Sequence, residues 1–386
     1  MSVPSFQFRL GTTILFGAGT AEQLPARAAE FGARRIFVVT DQGVRKAGLL
    51  ARIQEPLMEA GFRTTVWDEV EPDPGLETIH RAAASFQEDK YDLIIALGGG
   101  SPIDTAKGVR VIAGSGGHIR DYAGVNKVPK AAGVPLIALP TTSGTGSEVT
   151  VFAVLSDWEN KVKITVTSPH LAPDLAIVDP LLTIGAPPGV TAASGVDALA
   201  HAIEAFVSQA SQPPADALAL RAVELAGTNL RTAVADGRDL EARTGMALGS
   251  LLAGMAFNNA FLGLTHSIGA ALSGHAHVGH GVAIGLLLPY VMEYNAVARP
   301  EKFRTIAAAL GRGIAGLPLD EAALEAVAAV FALTEDLGLP RRLRDLGVAA
   351  SSLAGMARDA MGHGMLRMNP RPPAEEDVLE ILRKAY

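Results

Sequence analysis

Asp197 and His201 stand four residues apart in "GVDALAHAIEAF" (195–206), a segment otherwise made mainly of small and apolar residues. At 3.6 residues per turn the two side chains share one helix face, one above the other. A carboxylate and an imidazole in a helix that reads as buried are costly unless they are paired, hydrogen-bonded or bound to a metal. Four of the nine histidines fall in "THSIGAALSGHAHVGHG" (265–281): His266, His275, His277 and His280. Any one of them could be a core histidine satisfied by backbone groups. Together with the Asp197 and His201 pair they form a carboxylate and imidazole donor set suited to Fe, Zn, Co or Ni, and a cation justifies burying it.

Two further stretches carry the chemistry of a phosphate-bearing ligand. "LIIALGGGSPIDTAKG" (93–108) runs from a buried strand into three glycines, then Ser101, Pro102 and a helical stretch. Glycines let the backbone approach a pyrophosphate, the free amides of a helix start attract its charge, and Pro102 suits a first helical turn. "ALPTTSGTGSEVT" (138–150) repeats the logic after another strand, with hydroxyls at Thr141, Thr142, Ser143, Thr145 and Ser147. Two such turns at strand C-termini of one doubly wound sheet form a ligand crevice. The three-glycine dinucleotide fingerprint is absent, since "FGAGTAEQL" (16–24) has only Gly17 and Gly19. Asp41, just past a strand in "FVVTDQG" (37–43), could accept from a ribose 2′-OH and would repel a 2′-phosphate, which favours NAD over NADP. It could equally cap a helix.

These residues need elements to position them. The runs "RRIFVVT" (34–40), "RTTVWDE" (63–69), "YDLIIALGGG" (91–100) and "VPLIALPTT" (134–142) alternate with amphipathic segments such as 43–60 and 76–88, which predicts a parallel sheet flanked by helices. "FQFRLG" and "TTILFG" (6–17) predict a hairpin at the sheet edge. After "LAIVDPLL" (175–182), "TIGAPPGVT" (183–191) reads as a hinge, and Ala, Leu, Glu and Arg at helical spacing continue to the end. The expected division is an α/β dinucleotide-binding domain over 1–185 and an all-helical metal-binding domain over 186–386.

Bulk properties narrow the function. A chain of 386 residues with 48% apolar residues suits two cores, and a net charge of -7 argues against a nucleic-acid partner. Without cysteine there is no thiolate site or cysteine nucleophile, so any metal is held by His, Asp or Glu. The run "GVAIGLLLPYV" (281–291) is broken by Gly and Pro and falls short of the roughly 20 residues of a membrane span. "MSVPSFQFRLGTT" shows no basic region followed by an apolar stretch, so a cytoplasmic protein without a membrane partner is expected. None of the tyrosines (91, 122, 290, 294 and 386) has a lysine four residues later, leaving a tyrosine-lysine base unsupported. A divalent metal beside a dinucleotide would serve hydride transfer from an alcohol.

In these motifs and their order, from "GGGSPIDTAKG" and "PTTSGTGSEVT" through "SGVDALAHAIEAFVS" and "AGMAFNNAFLGLTH" to "HGVAIGLLLPYVMEYN", the chain resembles the iron-containing alcohol dehydrogenases nearly end to end. The resemblance implies a Rossmann-like sheet domain followed by an all-α domain, the two-domain architecture also found in dehydroquinate synthase. It implies a metal held by Asp197, His201, His266 and His280, with Fe2+ first and Zn2+ or another divalent metal as alternatives. "GVAIGLLLP" sets the register on His280 rather than His277. It also implies NAD, with NADP as the alternative, across the cleft between the domains: Asp41 at the adenosine ribose, Gly99, Gly100 and Ser101 at the pyrophosphate, and Thr141, Thr142 and Thr145 further along. Asp104 and Leu182 belong to the same cofactor-binding set, as does Lys163, for which Lys161 is an alternative. Many members carry a histidine four residues after the third ligand; here that residue is Ala270, so water and the ribose hydroxyl, or His275 or His277, would take the proton. Phe152 and Phe257 would line the substrate pocket, or else belong to the core. The implied partner is a small alcohol or aldehyde, and the implied assembly a homodimer or a multiple of it. A maleylacetate reductase-like enzyme and a dehydroquinate synthase-like lyase are the alternative activities. The first tends to lack the full metal set, and the second needs basic residues in which the metal-site segments here are poor.

Overall fold

Strands covered by helices on both faces need near-continuous apolar sequence, and four segments supply it: Arg35–Val39, Leu93–Gly98, Leu136–Pro140 and Leu175–Val178. In the computed structural model, which describes residues 5–130, 133–160, 162–276 and 278–386, they form the middle of a sheet. In chain order the strands are β1 Thr13–Phe16, β2 Arg35–Val39, β3 Arg63–Trp67, β4 Leu93–Gly98, β5 Gly124–Val125, β6 Leu136–Pro140, β7 Phe152–Asp157, β8 Val162–Thr167 and β9 Leu175–Val178. The main sheet has the order β1-β9-β6-β4-β2-β3 and is parallel throughout. Around it run α1 Leu24–Glu30, α2 Gln42–Lys46, α3 Leu49–Glu59, α4 Leu76–Gln87 and α5 Gly100–Ser115. Alternate residues of β4 enter opposite cores: Ile94 and Ala96 pack with Ile103, Ala106 and Val109 of α5, whereas Leu93, Ile95 and Leu97 pack with Leu50, Ile53 and Leu57 of α3.

The strand order reverses at β2. From β2 the chain goes outward to β3, then returns to place β4 on β2's other side. Ligands in open α/β sheets bind at such a switch point, outside the carboxyl ends of the strands. At that end lie Asp41, just after β2, and the tight turn from Gly98 at the end of β4 to Gly100 and Ser101 at the start of α5. A smaller sheet of order β5-β8-β7, in which β7 and β8 run antiparallel, completes this unit.

The expected edge hairpin does not form. Only Thr13–Phe16 becomes a strand, parallel to β9, and residues 6–10 carry no ladder. Side chains take their backbone groups instead: the Arg9 amide donates to Asn259 Oδ1 (2.6 Å), the Arg9 carbonyl accepts from Asn259 Nδ2 and Asn258 Nδ2, and the Gln7 carbonyl accepts from Gln212 Nε2. Once those groups are satisfied, a second strand has less to offer them.

Two compact units result, Leu10–Ala186 and Pro187–Tyr386, with residues 5–9 joined to the second. The second unit contains α6 Pro188–Val207, α7 Pro213–Ala235, α8 Leu240–Ala260, α9 Leu264–Ala276, α10 His280–Ala296, α11 Pro300–Ala309, α12 Leu319–Asp336, α13 Leu353–Met361 and α14 Glu375–Lys384, and among its described residues there is no strand. By length and hydropathy α6 could cross a membrane, a candidate absent from the reading of the 281–291 run. Yet 83% of its apolar window is buried, as in the core helix of a helical bundle. Gly195 lets α6 approach α7 closely, since a Cβ there would lie 2.2 Å from Leu230 Cδ1.

Candidate functional site

One face of α6 carries three ionisable side chains at i, i+4 and i+7: Asp197, His201 and Glu204, all nearly inaccessible to solvent. His266 stands in the first turn of α9, and α10 opens with His280. All three imidazole Nε2 atoms face one oxygen: Asp197 Oδ1 lies 3.9 Å from His201, 3.4 Å from His266 and 3.5 Å from His280. Ligands about 2.1 Å from an ion at tetrahedral angles stand about 3.4 Å apart, which these separations from Asp197 approach, and the donor atoms of Asp197, His201 and His266 all lie within 4.8 Å of one another. Neither Asp197 Oδ1 nor His266 Nε2, both buried, has a hydrogen-bond partner. Buried polar atoms ordinarily find one, and a divalent cation fits these lone pairs. His201 is sandwiched between Phe257 (ring centroids 4.5 Å apart) and His266 (4.6 Å) in near-parallel stacks.

Burial by itself would raise the Asp197 carboxyl's pKa, but His201, His280 and His266 outweigh it and hold the group well below the usual carboxylate range. Burial likewise disfavours a charged His266, and Glu204 and Asp197 overcome this, pushing it up to about 9. Glu204 is the residue that sequence reading missed. Its Oε2 lies 2.6 Å from His266 Nδ1 and accepts from the Gly263 amide, while Oε1 accepts from the Thr265 amide at 2.6 Å. In the neutral ring, the form that binds a metal, Nδ1–H donating to this carboxylate leaves the Nε2 lone pair toward Asp197, the usual way a ligating histidine is oriented. The signal lay in the quoted segment, seven residues and about two turns after Asp197.

The other histidines separate from this centre. His275 lies nine residues past His266, about two and a half turns along α9 and therefore on its opposite face; its Nε2 meets Asp359 Oδ2 at 2.6 Å. That placement removes His275 as a stand-in proton carrier. Ala270, one turn after His266, faces the same side and is buried. His277 and Lys161 lie outside the described residues.

In the sheet unit the glycine turn and the threonine loop lie against each other. A Cβ on Gly99 would come within 3.2 Å of Thr142 Oγ1, and one on Gly100 within 2.7 Å of Thr145 Cγ2. The Thr141 amide donates to the Gly98 carbonyl, and Thr40 Oγ1 ties β2 to β4 through the Leu97 carbonyl. α5 begins at Gly100, next to Ser101, with no side-chain cap, which leaves its first amides for an anion. Asp41 is the N-cap of α2, where Oδ1 accepts from the Val44 amide at 2.9 Å. Lys163 pairs with Asp73 at 2.6 Å, Leu182 is buried in the core beside β9, and both Asp104 oxygens accept bonds from Ser147 and Val154. Phe152 is half-buried at the start of β7. The Gly100→Ala variant should force Thr145 aside at an overpacking cost of about 1–3 kcal/mol, and its NADH affinity, measured by fluorescence titration, should fall about tenfold. Unchanged affinity would separate this contact from nucleotide binding.

Comparison with known proteins follows the same division. Residues 11–180 match the family model "Iron-containing alcohol dehydrogenase", and residues 191–386 match "Fe-containing alcohol dehydrogenase family, C-terminal". The chain is 41% identical to 1,3-propanediol dehydrogenase of Klebsiella pneumoniae, with both chains covered in full. It is 37% identical to the NAD-dependent methanol dehydrogenase of Bacillus methanolicus, covering 96% of this chain and 97% of that one. Among solved structures, the alcohol dehydrogenase from Oenococcus oeni superposes with a TM-score of 0.96 at 37% identity, covering 99% of this chain and 100% of the other.

Proposed function

The chain belongs to the iron-containing alcohol dehydrogenase family, whose enzymes interconvert alcohols and aldehydes with NAD and a divalent metal, and from that premise we propose that Asp197, His201, His266 and His280 hold the metal and that the substrate is a small, apolar primary alcohol or its aldehyde. The observation that carries this reading is the convergence of three imidazoles on one Asp197 oxygen. When bound, the metal would supply a Lewis acid for the substrate oxygen and NAD a hydride acceptor. Fe2+ is the first candidate, with Zn2+ next, because the donor set accepts both.

The chain's own residues do the rest. Asp197 supplies the negative charge that offsets a cation, and Glu204 fixes the tautomer and ring orientation of His266. The Phe257 ring, flat against His201, gives the centre an apolar wall on one side that offers no partner to a second hydroxyl. Ala270 presents only a methyl group on the ligand face of α9, so the alcohol's proton leaves through water rather than through a ring. Asp41 keeps an acidic group at the switch point, which supports NAD over NADP. A cytoplasmic homodimer completes the reading.

A substrate panel tests it. With NADH and a saturating divalent metal, butanal and hexanal should give higher kcat/KM than 3-hydroxypropanal or glyceraldehyde, and NADPH should serve poorly. The methylene preference should be about 1–3 kcal/mol in transition-state binding. Preference for the hydroxylated aldehydes would remove Phe257 from the substrate-facing residues and align this enzyme with the propanediol dehydrogenase of Klebsiella pneumoniae.

A further inference from the structure

Lys107 is wholly buried inside the sheet unit. Its ammonium has three N–H donors and no acceptor, and three acceptors meet it: Ser147 Oγ at 2.8 Å, Thr150 Oγ1 at 3.2 Å and the Phe152 carbonyl at 2.6 Å. All three belong to the segment 147–152, and none to Lys107's own helix. One turn earlier on α5, Asp104 accepts from Ser147 Oγ at 2.5 Å and from the Val154 amide at 2.9 Å. The Ser147 hydroxyl therefore donates to Asp104 and accepts from Lys107, joining the two side chains through the loop. Lys107 Nζ lies 3.7 Å from Asp104 Oδ1, and buried Glu148 adds a second negative charge. Burial pulls the Lys107 ammonium down and these two carboxyls restore part of it, leaving it at about 8.

A buried ion pair is weak grounds for a stability role, because apolar side chains of similar volume often do as well or better. Where this one points is more informative. α5 starts at the Gly99 and Gly100 turn, and the segment it grips begins two residues after Thr145, the side chain that touches Gly100. One rigid helix thus carries the first loop at its end and anchors the second from its side.

We propose that Lys107 and Asp104 are positioning residues for the nicotinamide dinucleotide: from α5 they hold residues 147–154 so that Thr142 and Thr145 stay against the Gly99 and Gly100 turn. The inference rests on the reading that these two loops take the dinucleotide. Asp104 then acts through Ser147 and Val154 rather than by touching the cofactor.

The test uses the metal-loaded, full-length enzyme with Lys107→Met and with Ser147→Ala, which removes only the shared hydroxyl. NADH binding is followed by fluorescence titration, alongside KM for NADH, kcat, metal content and Tm. Dissociation constant and KM for NADH should rise about tenfold or more in Lys107→Met and by a smaller factor in Ser147→Ala. The loss should fall in KM rather than in kcat, with metal content equal to wild type. The double variant should be little worse than Lys107→Met, because both changes cut the same link. Folded variants that bind NADH as tightly as wild type, whatever their Tm, overturn the proposal, and if Lys107→Met does not fold then Ser147→Ala decides alone. Failure of the underlying reading looks different, since wild-type affinity would then be untouched by Gly100→Ala as well.

Discussion

Asp197→Asn is expected to give a folded protein that purifies without stoichiometric metal and reduces aldehydes with kcat/KM lower by about a thousandfold or more. Asp197 Oδ1 is the atom that all three imidazoles face at 3.4 to 3.9 Å, and Asp197 is the one carboxylate among the four proposed ligands. Asparagine keeps the shape but removes the charge, and its NH2 donates where an acceptor is needed. Burying a neutral amide is cheaper than burying a carboxylate, so Tm should hold while metal content and activity fall together. Elemental analysis, steady-state NADH oxidation and a thermal melt on one preparation check all three. Full metal occupancy and near-normal turnover in the variant would place the metal elsewhere.

Glu204→Gln should weaken metal binding by about 10–100-fold while leaving a residual activity that excess metal restores. Glu204 serves three donors at once: the Gly263 amide and His266 Nδ1 at Oε2, and the Thr265 amide at Oε1. Glutamine has one acceptor oxygen. Its NH2 group must then face either the Thr265 amide or the Gly263 amide and His266, leaving a buried donor against a donor at a cost of about 1–3 kcal/mol. The turn that carries His266 loses its anchor and the ring loses its fixed tautomer. The contrast with Asp197→Asn is diagnostic, because an orienting residue can be compensated by mass action and a lost ligand charge cannot. Metal titrations of the chelated proteins, read by recovered activity, provide the check. A Glu204→Gln curve that overlays wild type would reduce the residue to a helix-turn support.

Much of the sheet was legible because β2, β4, β6 and β9 are covered on both faces, and such strands must be written in continuous apolar residues. The helical unit was legible for the complementary reason of periodicity. The small β5-β8-β7 sheet was not foreseen: β8 is largely half-exposed and β5 has two residues, so neither presents the continuous pattern of a core strand. The edge hairpin failed because Asn258, Asn259 and Gln212, some 200 residues or more further along, satisfy the backbone at Gln7 and Arg9. The Asp197 and His201 pair and the histidine cluster over 266–280 could be proposed from donor type and helical spacing, while the choice of His266 and His280 within that cluster came from the family resemblance. Glu204 escaped because its three partners lie 59 to 62 residues away, and a glutamate in an Ala-rich helix looks like any solvated face until they are placed. Lys107 escaped in the same way, its acceptors being 40 or more residues downstream on a loop.

The most direct test of the whole account is aldehyde-dependent NADH oxidation by wild-type protein after exhaustive chelation, with metal content measured on the same sample. Activity should decline in proportion to the metal removed and return when one equivalent of Fe2+ or Zn2+ per chain is added back. Undiminished turnover by protein stripped of all transition metal would contradict the metal centre at Asp197, and with it the function proposed for this chain.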